Sequence, residues 1–369
     1  MMVCFMAVVL GMGCWNEPKP QVEPSVNSVL LATSEADDSD EYVFPDYDGS
    51  NMGHILYERY ITNEQKRFLA KLQKIGVEAS FDDNEAAGTA GVTGFGCNYL
   101  TTPKVNARPD RMDRPFERNL VKRIPFDDAL LEETVKLFPD IAALGLVNSH
   151  VTDEGLEILA KYSLPHLWSL SIGNTDPDYA DPMAITDKGM KAIGQLRQLT
   201  NIKILGCSIT DEGVAHIENS QWIELPGNKL TAKAFRSFAK MKSLRNLFLS
   251  YNDFSDPIDK ETYEAIVSLN GKLRNLAFSN SDNVHPSFIR ATGEIKSLMG
   301  YSWDMTGNTP IWKFHAGPDL EGTIPYTEIS YDAILDALRR RHPDMDLTEW
   351  EKWREIEFGQ NGEVLPRAN

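Results

Sequence analysis

The side chains that could carry catalysis are scattered along the chain and share no recognisable spacing. No HExxH pair, GxSxG elbow or paired CxxC occurs, so the usual zinc, serine-hydrolase and dithiol arrangements are missing from the sequence. The histidines are His54, His150, His166, His216, His285, His315 and His342. The pattern predicts a non-enzymatic protein without a cofactor. The alternative is an enzyme site in the flanking regions, such as a Cys97 nucleophile beside a histidine that is near only in space.

Two loops carry clustered carboxylates, which are ligands that calcium prefers. These loops hold Asp176, Asp178 and Asp181, and Asp253, Asp256 and Asp259. Neither loop has the ligand spacing of an EF-hand, and alternating aspartate and proline is common in ordinary loops. The sequence therefore predicts no metal site.

An apolar run, Val3–Met12, lies near the start of the chain. It suits the core of a signal peptide and is about half as long as a membrane-spanning helix. The next residues, Gly11-Met12-Gly13-Cys14, resemble a bacterial lipobox, in which Cys14 would be lipidated, although Leu10 stands one position earlier than that pattern prefers. A cleaved signal peptide without lipid is the alternative. Residues 1–14 thus predict secretion across the inner membrane, and the proline-bearing, acidic residues 15–45 predict a disordered tether.

The charge of the chain limits its partners. A formal net charge of −17 repels phosphate backbones and anionic lipid surfaces. Nucleic acid is therefore not expected as a partner, and membrane contact is expected only through an N-terminal lipid. Cys97 and Cys207 show no metal-type spacing and are predicted to be buried thiols, with a disulfide between them as the alternative.

A repeating pair of apolar residues runs through the middle of the chain. The pairs are Leu144-x-Leu146, Leu170-x-Ile172, Ile202-x-Ile204, Ile223-x-Leu225, Leu247-x-Leu249, Leu276-x-Phe278 and Tyr301-x-Trp303. Their first members lie 26, 32, 21, 24, 29 and 25 residues apart, the spacing of a stacked repeat. Alternation over two residues places both members on one face of a short strand, and the next unit covers its edge. The pairs predict parallel strands.

A second element follows three of these strands. It reads Val151-Thr-Asp-Glu-Gly-Leu156, Ile185-Thr-Asp-Lys-Gly-Met190 and Ile209-Thr-Asp-Glu-Gly-Val214. Each threonine can cap a helix, and the acidic residue after it favours the positive end of the helix dipole. Apolar residues then recur at helical spacing. The repeat unit is therefore predicted to be strand, turn and helix.

On these residues the sequence resembles bacterial leucine-rich-repeat proteins with TDxGL-type units, many of them lipoproteins. The resemblance covers residues 120–310 and implies an α/β solenoid with short parallel strands on its concave face and helices on its convex face. It also implies a small, polar ninth position that closes the turn after each strand. Here that position holds Ser149, Thr175, Cys207, Asn228, Asn252, Ser281 and Thr306.

In such a solenoid the residues between the inward anchors project from the concave face. The first units offer only Ala143, Gly145, Ser169 and Ser171 there. Later units offer an aromatic group with polar neighbours, which has the composition of an interaction hot spot. The predicted partner-binding residues are Trp222, Phe248, Tyr251, Lys203, Glu224, Asn246 and Asn275. A register one residue out in the fourth repeat would instead bury Trp222.

The flanking regions are predicted to cap the array, because repeat stacks need closed ends. Residues 46–119 form the N-terminal cap, with a helix from Asn63 to Ile75 and a capping strand in the glycine-rich run 88–96. Residues 311–369 form a helical C-terminal cap, with one helix over 331–341 and a second carrying Trp350, Trp353 and Ile356. The predicted function is binding of an unidentified protein at the bacterial cell envelope. The alternative is an intracellular adaptor resembling ligase-associated repeat subunits, which the absence of an F-box-like helical module before the repeats disfavours.

Overall fold

The computed structural model describes residues 61–82, 91–97, 123–174, 183–278, 284–303, 330–341, 343 and 346–367. The predicted signal peptide, Cys14 and the tether lie outside these residues, as do Asp176, Asp178 and Asp181 of the first acidic loop. Within the described part, no helix is both long and apolar enough to cross a membrane.

One sheet runs through the described repeats in chain order. Its strands are β1 (Val77–Asp82), β2 (Gly91–Cys97), β3 (Ala143–Val147), β4 (Ser169–Gly173), β5 (Asn201–Leu205), β6 (Trp222–Glu224), β7 (Asn246–Phe248), β8 (Asn275–Phe278) and β9 (Gly300–Trp303). Strands β2 to β9 are parallel, and each pairs with equivalent residues of the next: Leu144 pairs with Leu170, and Leu170 pairs with Ile202. This open sheet with a helix between most strands is the predicted leucine-rich-repeat solenoid.

A helix lies between most successive strands in the chain, and further helices precede and follow the sheet. The α-helices are α1 (Asn63–Lys74), α2 (Asp128–Leu137), α3 (Asp153–Tyr162), α4 (Asp187–Ile193), α5 (Asp211–Val214), α6 (Phe235–Phe238), α7 (Lys260–Val267), α8 (Pro286–Thr292), α9 (Tyr331–Arg341) and α10 (Thr348–Glu351). Short 3-10 turns occur at Ala232–Ala234 and Lys352–Arg354.

The inward anchors of the strands form the core. Those at 2% exposure or less are Leu144, Leu146, Leu170, Ile172, Ile202, Ile204, Ile223, Leu225, Leu247, Leu249, Leu276, Phe278 and Tyr301. Farther along the array phenyl rings join the packing, and the Phe254 and Phe288 rings stack with centroids 4.7 Å apart. The alternation of apolar and polar strand residues is therefore confirmed through β8, because it separates the buried core from the concave face.

The TDxG element links each unit to the next through an aspartate and a threonine. Asp153 of α3 accepts hydrogen bonds from the Thr186 backbone N–H (2.9 Å) and Oγ1 (2.7 Å), while Thr186 caps its own helix. The same pair of bonds joins Asp128 to Thr152, Asp187 to Thr210 and Asp211 to Thr231. These four Asp–Thr pairs, called the aspartate ladder below, explain the motif. Each threonine accepts a hydrogen bond from a free backbone N–H of its own helix, and each aspartate accepts hydrogen bonds from the threonine of the following unit.

The glycine of the motif is required by the same ladder. A Cβ on Gly189 would lie 2.5 Å from Asp153 Oδ1 and 2.6 Å from Leu156 Cδ1. The Gly189 N–H also donates to Asp153 Oδ1 at 2.9 Å, so the carboxylate lies directly against the glycine backbone. The position is therefore small because the neighbouring unit fills the space.

The ninth position closes the turn after the strand, as the resemblance implied. Asn228 Nδ2 donates to the Ile204 carbonyl (2.9 Å), and Asn228 Oδ1 accepts from the Ile209 N–H (3.2 Å). Asn252 repeats both kinds of bond one unit later. Ser149 Oγ donates to the Leu146 carbonyl (2.8 Å), and Cys207 Sγ donates to the Leu205 carbonyl (3.3 Å), each within its own repeat. Thr175, Ser281 and Thr306 lie outside the described residues.

The described residues before the repeats contain the predicted helix and strand. Thr62 and Gln65 form a capping box at the start of α1, and Gly76 has φ +85°, which ends the chain's helical path. Strand β2 pairs antiparallel with β1 and parallel with β3, so the glycine-rich run does supply the predicted capping strand.

The C-terminal cap departs from its predicted second helix. After α10 and the 3-10 turn, strands β10 (Ile356–Phe358) and β11 (Val364–Pro366) form an antiparallel hairpin, so a helix running through Ile356 is wrong. Gly362 in the Asn361-Gly362 turn has φ +82°, the conformation that favours a hairpin over a helix. The hairpin packs on α7, where the Lys260 N–H donates to the Gly362 carbonyl at 2.6 Å. Trp350 and Trp353 are buried, and the Trp353 ring lies edge-on to the His285 ring with centroids 5.1 Å apart.

Candidate partner-binding face

The register of the fourth repeat decides whether the predicted face exists. Ile223 is completely buried, and Trp222 and Glu224 on either side of it are half-buried on the concave face. Trp222 pairs with Asn201 of β5 and Asn246 of β7, which places it in the row of outward residues. The predicted register is therefore confirmed, and the shifted register that would bury Trp222 is wrong.

The ion pair between Lys203 and Glu224 fixes the Trp222 side chain. Glu224 Oε1 accepts a hydrogen bond from Trp222 Nε1 at 2.7 Å, and Glu224 Oε2 lies 3.0 Å from Lys203 Nζ. The side chains of Lys203 and Glu224 are only 15% and 12% exposed. Both carboxylate oxygens are thus engaged, so the indole ring is fixed in place and little entropy remains to be lost when a partner covers it.

The second aromatic ring stacks on the first. The Trp222 and Phe248 rings have centroids 5.1 Å apart and an interplanar angle of 30°. Phe248 lies on the neighbouring strand and is half-buried. An offset stack of this kind is favourable beyond its buried area. The pair forms one apolar surface that spans two repeats, and the name aromatic pair is used below for Trp222 and Phe248.

Tyr251 lies beyond the end of β7 rather than on the strand itself. Its side chain is 45% exposed, and its backbone has φ +59°. The equivalent positions of other repeats hold Asn148, Gly206 and Gly227, residue types that tolerate the left-handed region. A tyrosine there costs conformational energy, which is typical of a residue retained for what its side chain does.

Amides continue the face beside the aromatic pair. Asn275 Nδ2 donates to Asn246 Oδ1 at 2.5 Å, linking β8 to β7. Ala277 pairs with Phe248 and leaves the space beside the ring unfilled by a large side chain. The structure therefore brings together Lys203, Trp222, Glu224 and Phe248 with the two asparagines alongside, and it places Tyr251 at the edge.

The first repeats give the same face a different character. Ala143, Gly145, Ser169 and Ser171 are all partly exposed and carry almost no side-chain bulk. In β2 the pattern continues with Gly94 and Gly96, which pair with Ala143 and Gly145. The concave face is thus flat and small at its N-terminal end and aromatic in its middle.

Sequence reasoning missed the residue that directly precedes each strand. Trp168 is 44% exposed at the start of β4, and Met299 is 56% exposed at the start of β9. Both stand directly before a strand, a position that is stacked from repeat to repeat and is called the entry column below. Each residue of the column donates its backbone N–H to the carbonyl of the equivalent residue in the preceding repeat, as Trp168 does to Ala142. Reading the repeats one position earlier would have found them, since the column follows from the anchor register.

One described histidine lies within hydrogen-bond distance of a hydroxyl that could act as a nucleophile. His285 Nδ1 is 2.7 Å from Ser287 Oγ, yet Ser287 is completely buried and its Oγ accepts from the Ile258 N–H. His285 caps α8, and burial lowers its pKa. The pair therefore serves the helix start. His150, His166 and His216 are exposed, and the other three histidines lie outside the described residues.

Acidic side chains near the second loop are used structurally. Asp253 Oδ1 accepts from the Ser255 N–H and hydroxyl, and Asp259 caps α7 and pairs with Arg236. Among the described residues, no three metal-ligating side chains cluster. Cys207 is a buried free thiol whose pKa burial raises to about 12, so it is unreactive at neutral pH.

The strand register and the buried anchors define the fold class: the described repeats form a leucine-rich-repeat-type solenoid. No family model matches the chain, and no curated protein matches it. Among solved structures, an internalin C2 from Listeria monocytogenes is similar at 12% identity with a TM-score of 0.33, covering 57% of this chain and 80% of that one. The class assignment rests on the repeated strand register and the buried anchors, not on that similarity.

Proposed function

We propose that the chain binds a protein partner, without catalysis, through the concave face centred on the aromatic pair. The observation that carries the proposal is that two large aromatic side chains remain accessible on the sheet and are nevertheless held rigidly. Trp222 is fixed by Glu224 and Lys203, and Phe248 is stacked against it. A few central residues carry most of the binding energy of protein interfaces, and tryptophan is enriched among them.

The surroundings of the pair also favour a protein ligand. The Asn246 and Asn275 amides supply donors and acceptors for peptide groups at the border of an apolar centre. Ala277, which pairs with Phe248 on the neighbouring strand β8, is small and lets a partner's backbone approach the sheet there. An apolar centre with a polar border is the common arrangement of a protein interface.

Adding bulk to the face tests this proposal without removing any contact. We expect Ala277→Trp, beside Phe248, to weaken binding of a partner captured from envelope extracts by about tenfold or more, because the new ring fills the space that the partner needs. The matched control is Ala184→Trp, at an exposed position just before the cap of α4. Calorimetric titration of the purified partner measures both. Equal binding by wild type and Ala277→Trp would refute the concave face as the binding surface.

The proposal also includes a location at the bacterial cell envelope, with Cys14 as the lipid-bearing residue. Support comes from the apolar run before Cys14 and the acidic, proline-bearing stretch after it, which suits a tether. We expect radiolabelled palmitate to be incorporated into the wild-type chain and not into Cys14→Ala in a bacterial host. Cys4→Ala is the matched control and should label like wild type. Cytosolic, unlabelled wild-type protein would contradict the proposal.

A further inference from the structure

Two adjacent turns on the strand-entry side of the array are unusually basic. Residues 239–245 and 268–274 contain five lysines and arginines and no aspartate or glutamate, in a chain whose net charge is −17. Arg245 and Arg274 occupy the entry column directly before β7 and β8, where the Arg274 N–H donates to the Arg245 carbonyl at 2.7 Å. Since neighbouring parallel strands lie about 4.8 Å apart, the two guanidinium groups start from adjacent points.

The name basic edge is used here for Lys242, Arg245, Lys272 and Arg274. Their hydrogen bonds go to backbone carbonyls: Arg245 Nη1 donates to the Leu244 carbonyl at 2.9 Å, and Lys272 Nζ donates to the Ala239 carbonyl at 3.2 Å. Lys242, Arg245 and Arg274 are exposed. No described carboxylate forms an ion pair with any of the four. Their charge therefore stays available to a ligand.

Elsewhere in the described repeats many cations are neutralised locally. Lys136 pairs with Glu132, Lys188 with Glu157, and Arg290 with Glu294. Glu218 lies in the preceding strand-entry turn and Glu294 in the following one, so the two turns of the basic edge differ from their neighbours in having no acidic residue. Such a concentrated charge attracts an anionic group within about a Debye length, roughly 8 Å at physiological salt, despite the acidic chain around it.

We propose that the basic edge binds an acidic segment, a short run of aspartate or glutamate, in the same protein partner that occupies the concave face. This inference rests on the proposed function. Arg245 and Arg274 directly precede Asn246 and Asn275 of the face, so one partner can cover both surfaces continuously. A short acidic segment of a protein can contact the basic edge without approaching the acidic rest of the chain. An extended anionic membrane would also meet the repulsion of the rest of the chain, whose net charge is −17.

A fluorescent octaglutamate peptide tests the edge by itself. We expect the full chain to bind it at low salt, and the double variant Arg245→Glu/Arg274→Glu to bind at least about tenfold more weakly, because two attractions become repulsions. The control, Lys191→Glu/Lys233→Glu, changes the net charge equally at exposed helix-side positions and should bind like wild type. Fluorescence anisotropy, repeated at rising sodium chloride, measures all three.

Three results would overturn the inference. The first is no octaglutamate binding, and the second is an equal loss of binding in the control variant. The third is that the chain binds phosphatidylglycerol vesicles and not the peptide, and that the edge variant abolishes this vesicle binding. Trp222→Ala/Phe248→Ala separates this inference from the proposed function. That variant should keep octaglutamate binding while losing the captured partner. If the edge variant loses octaglutamate binding but the Trp222→Ala/Phe248→Ala variant still binds the partner, only the proposed function is refuted. If the edge variant keeps octaglutamate binding but the Trp222→Ala/Phe248→Ala variant loses the partner, only the basic edge is refuted.

Discussion

Trp222→Ala is expected to weaken binding of the protein partner by about 2 kcal/mol or more, about 30-fold in affinity. The indole contributes a large apolar surface at the centre of the face and loses little freedom on binding. Its Nε1 is already bonded to Glu224, and its ring is already stacked on Phe248. The truncation also leaves Phe248 without its stacked neighbour, so the second half of the anchor loosens.

The control for this prediction is an equally large change at another accessible tryptophan. Trp168→Ala removes a side chain that is 44% exposed at the strand-entry edge, and we expect it to change affinity less than about twofold. Titration calorimetry measures both affinities, and urea unfolding shows whether each variant is folded. Similar losses in both variants, or no loss in Trp222→Ala, would exclude the aromatic pair as the anchor.

The interior of the sheet was predictable because one local rule specifies it. A two-residue alternation must put Ile223 inside and Trp222 outside, and the structure has both. The Lys203–Glu224 pair was only a list of polar neighbours in the sequence. Its 3.0 Å contact arises because β5 and β6 pair in register, placing Lys203 opposite Glu224. Side-chain contacts between neighbouring strands, such as this ion pair, therefore follow from the strand register and not from the sequence pattern alone.

Features that depend on irregular chain segments were not predictable in the same way. Apolar spacing favoured a helix through Ile356, while the Asn361-Gly362 turn and the packing of the hairpin on α7 decided otherwise. In the sequence Thr186 was a predicted helix cap and Asp153 an acidic residue at the start of another helix; the bond between them joins residues 33 positions apart, so local patterns did not reveal it. The exposed Trp168 was overlooked since the repeat was read from its buried anchors outward.

The aspartate ladder makes Gly189→Ala a destabilising change, against the usual effect of alanine in a helix. Replacing glycine by alanine inside a helix normally gains about 1 kcal/mol. Here the added Cβ would lie 2.5 Å from Asp153 Oδ1 and would push the carboxylate away from the Thr186 N–H, Thr186 Oγ1 and Gly189 N–H. Hydrogen bonds to a charged acceptor contribute about 1.5–3 kcal/mol each, so we expect a net loss of about 2 kcal/mol.

The Asp211–Thr231 pair shows which backbone conformation accommodates an alanine at the glycine position of the motif. The equivalent residue there is Ala234, and its unit begins with a 3-10 turn while Asp211 still bonds Thr231. In α4 the first turn is α-helical, so Gly189→Ala must either rewind that turn or displace Asp153. Either adjustment costs stability at the junction between two repeats, and repeat arrays transmit such a cost to the neighbouring unit.

A double-mutant cycle with Asp153→Ala separates the collision from other effects of the substitution. Once the carboxylate is absent, adding alanine at position 189 should cost at least about 1 kcal/mol less than in the wild-type background, because only the contact with Leu156 Cδ1 remains. Urea unfolding with an unchanged slope measures all four proteins. An equal loss with and without Asp153 would show that the glycine is required by something other than the ladder, and that the TDxG element does not join the repeats as the hydrogen bonds indicate.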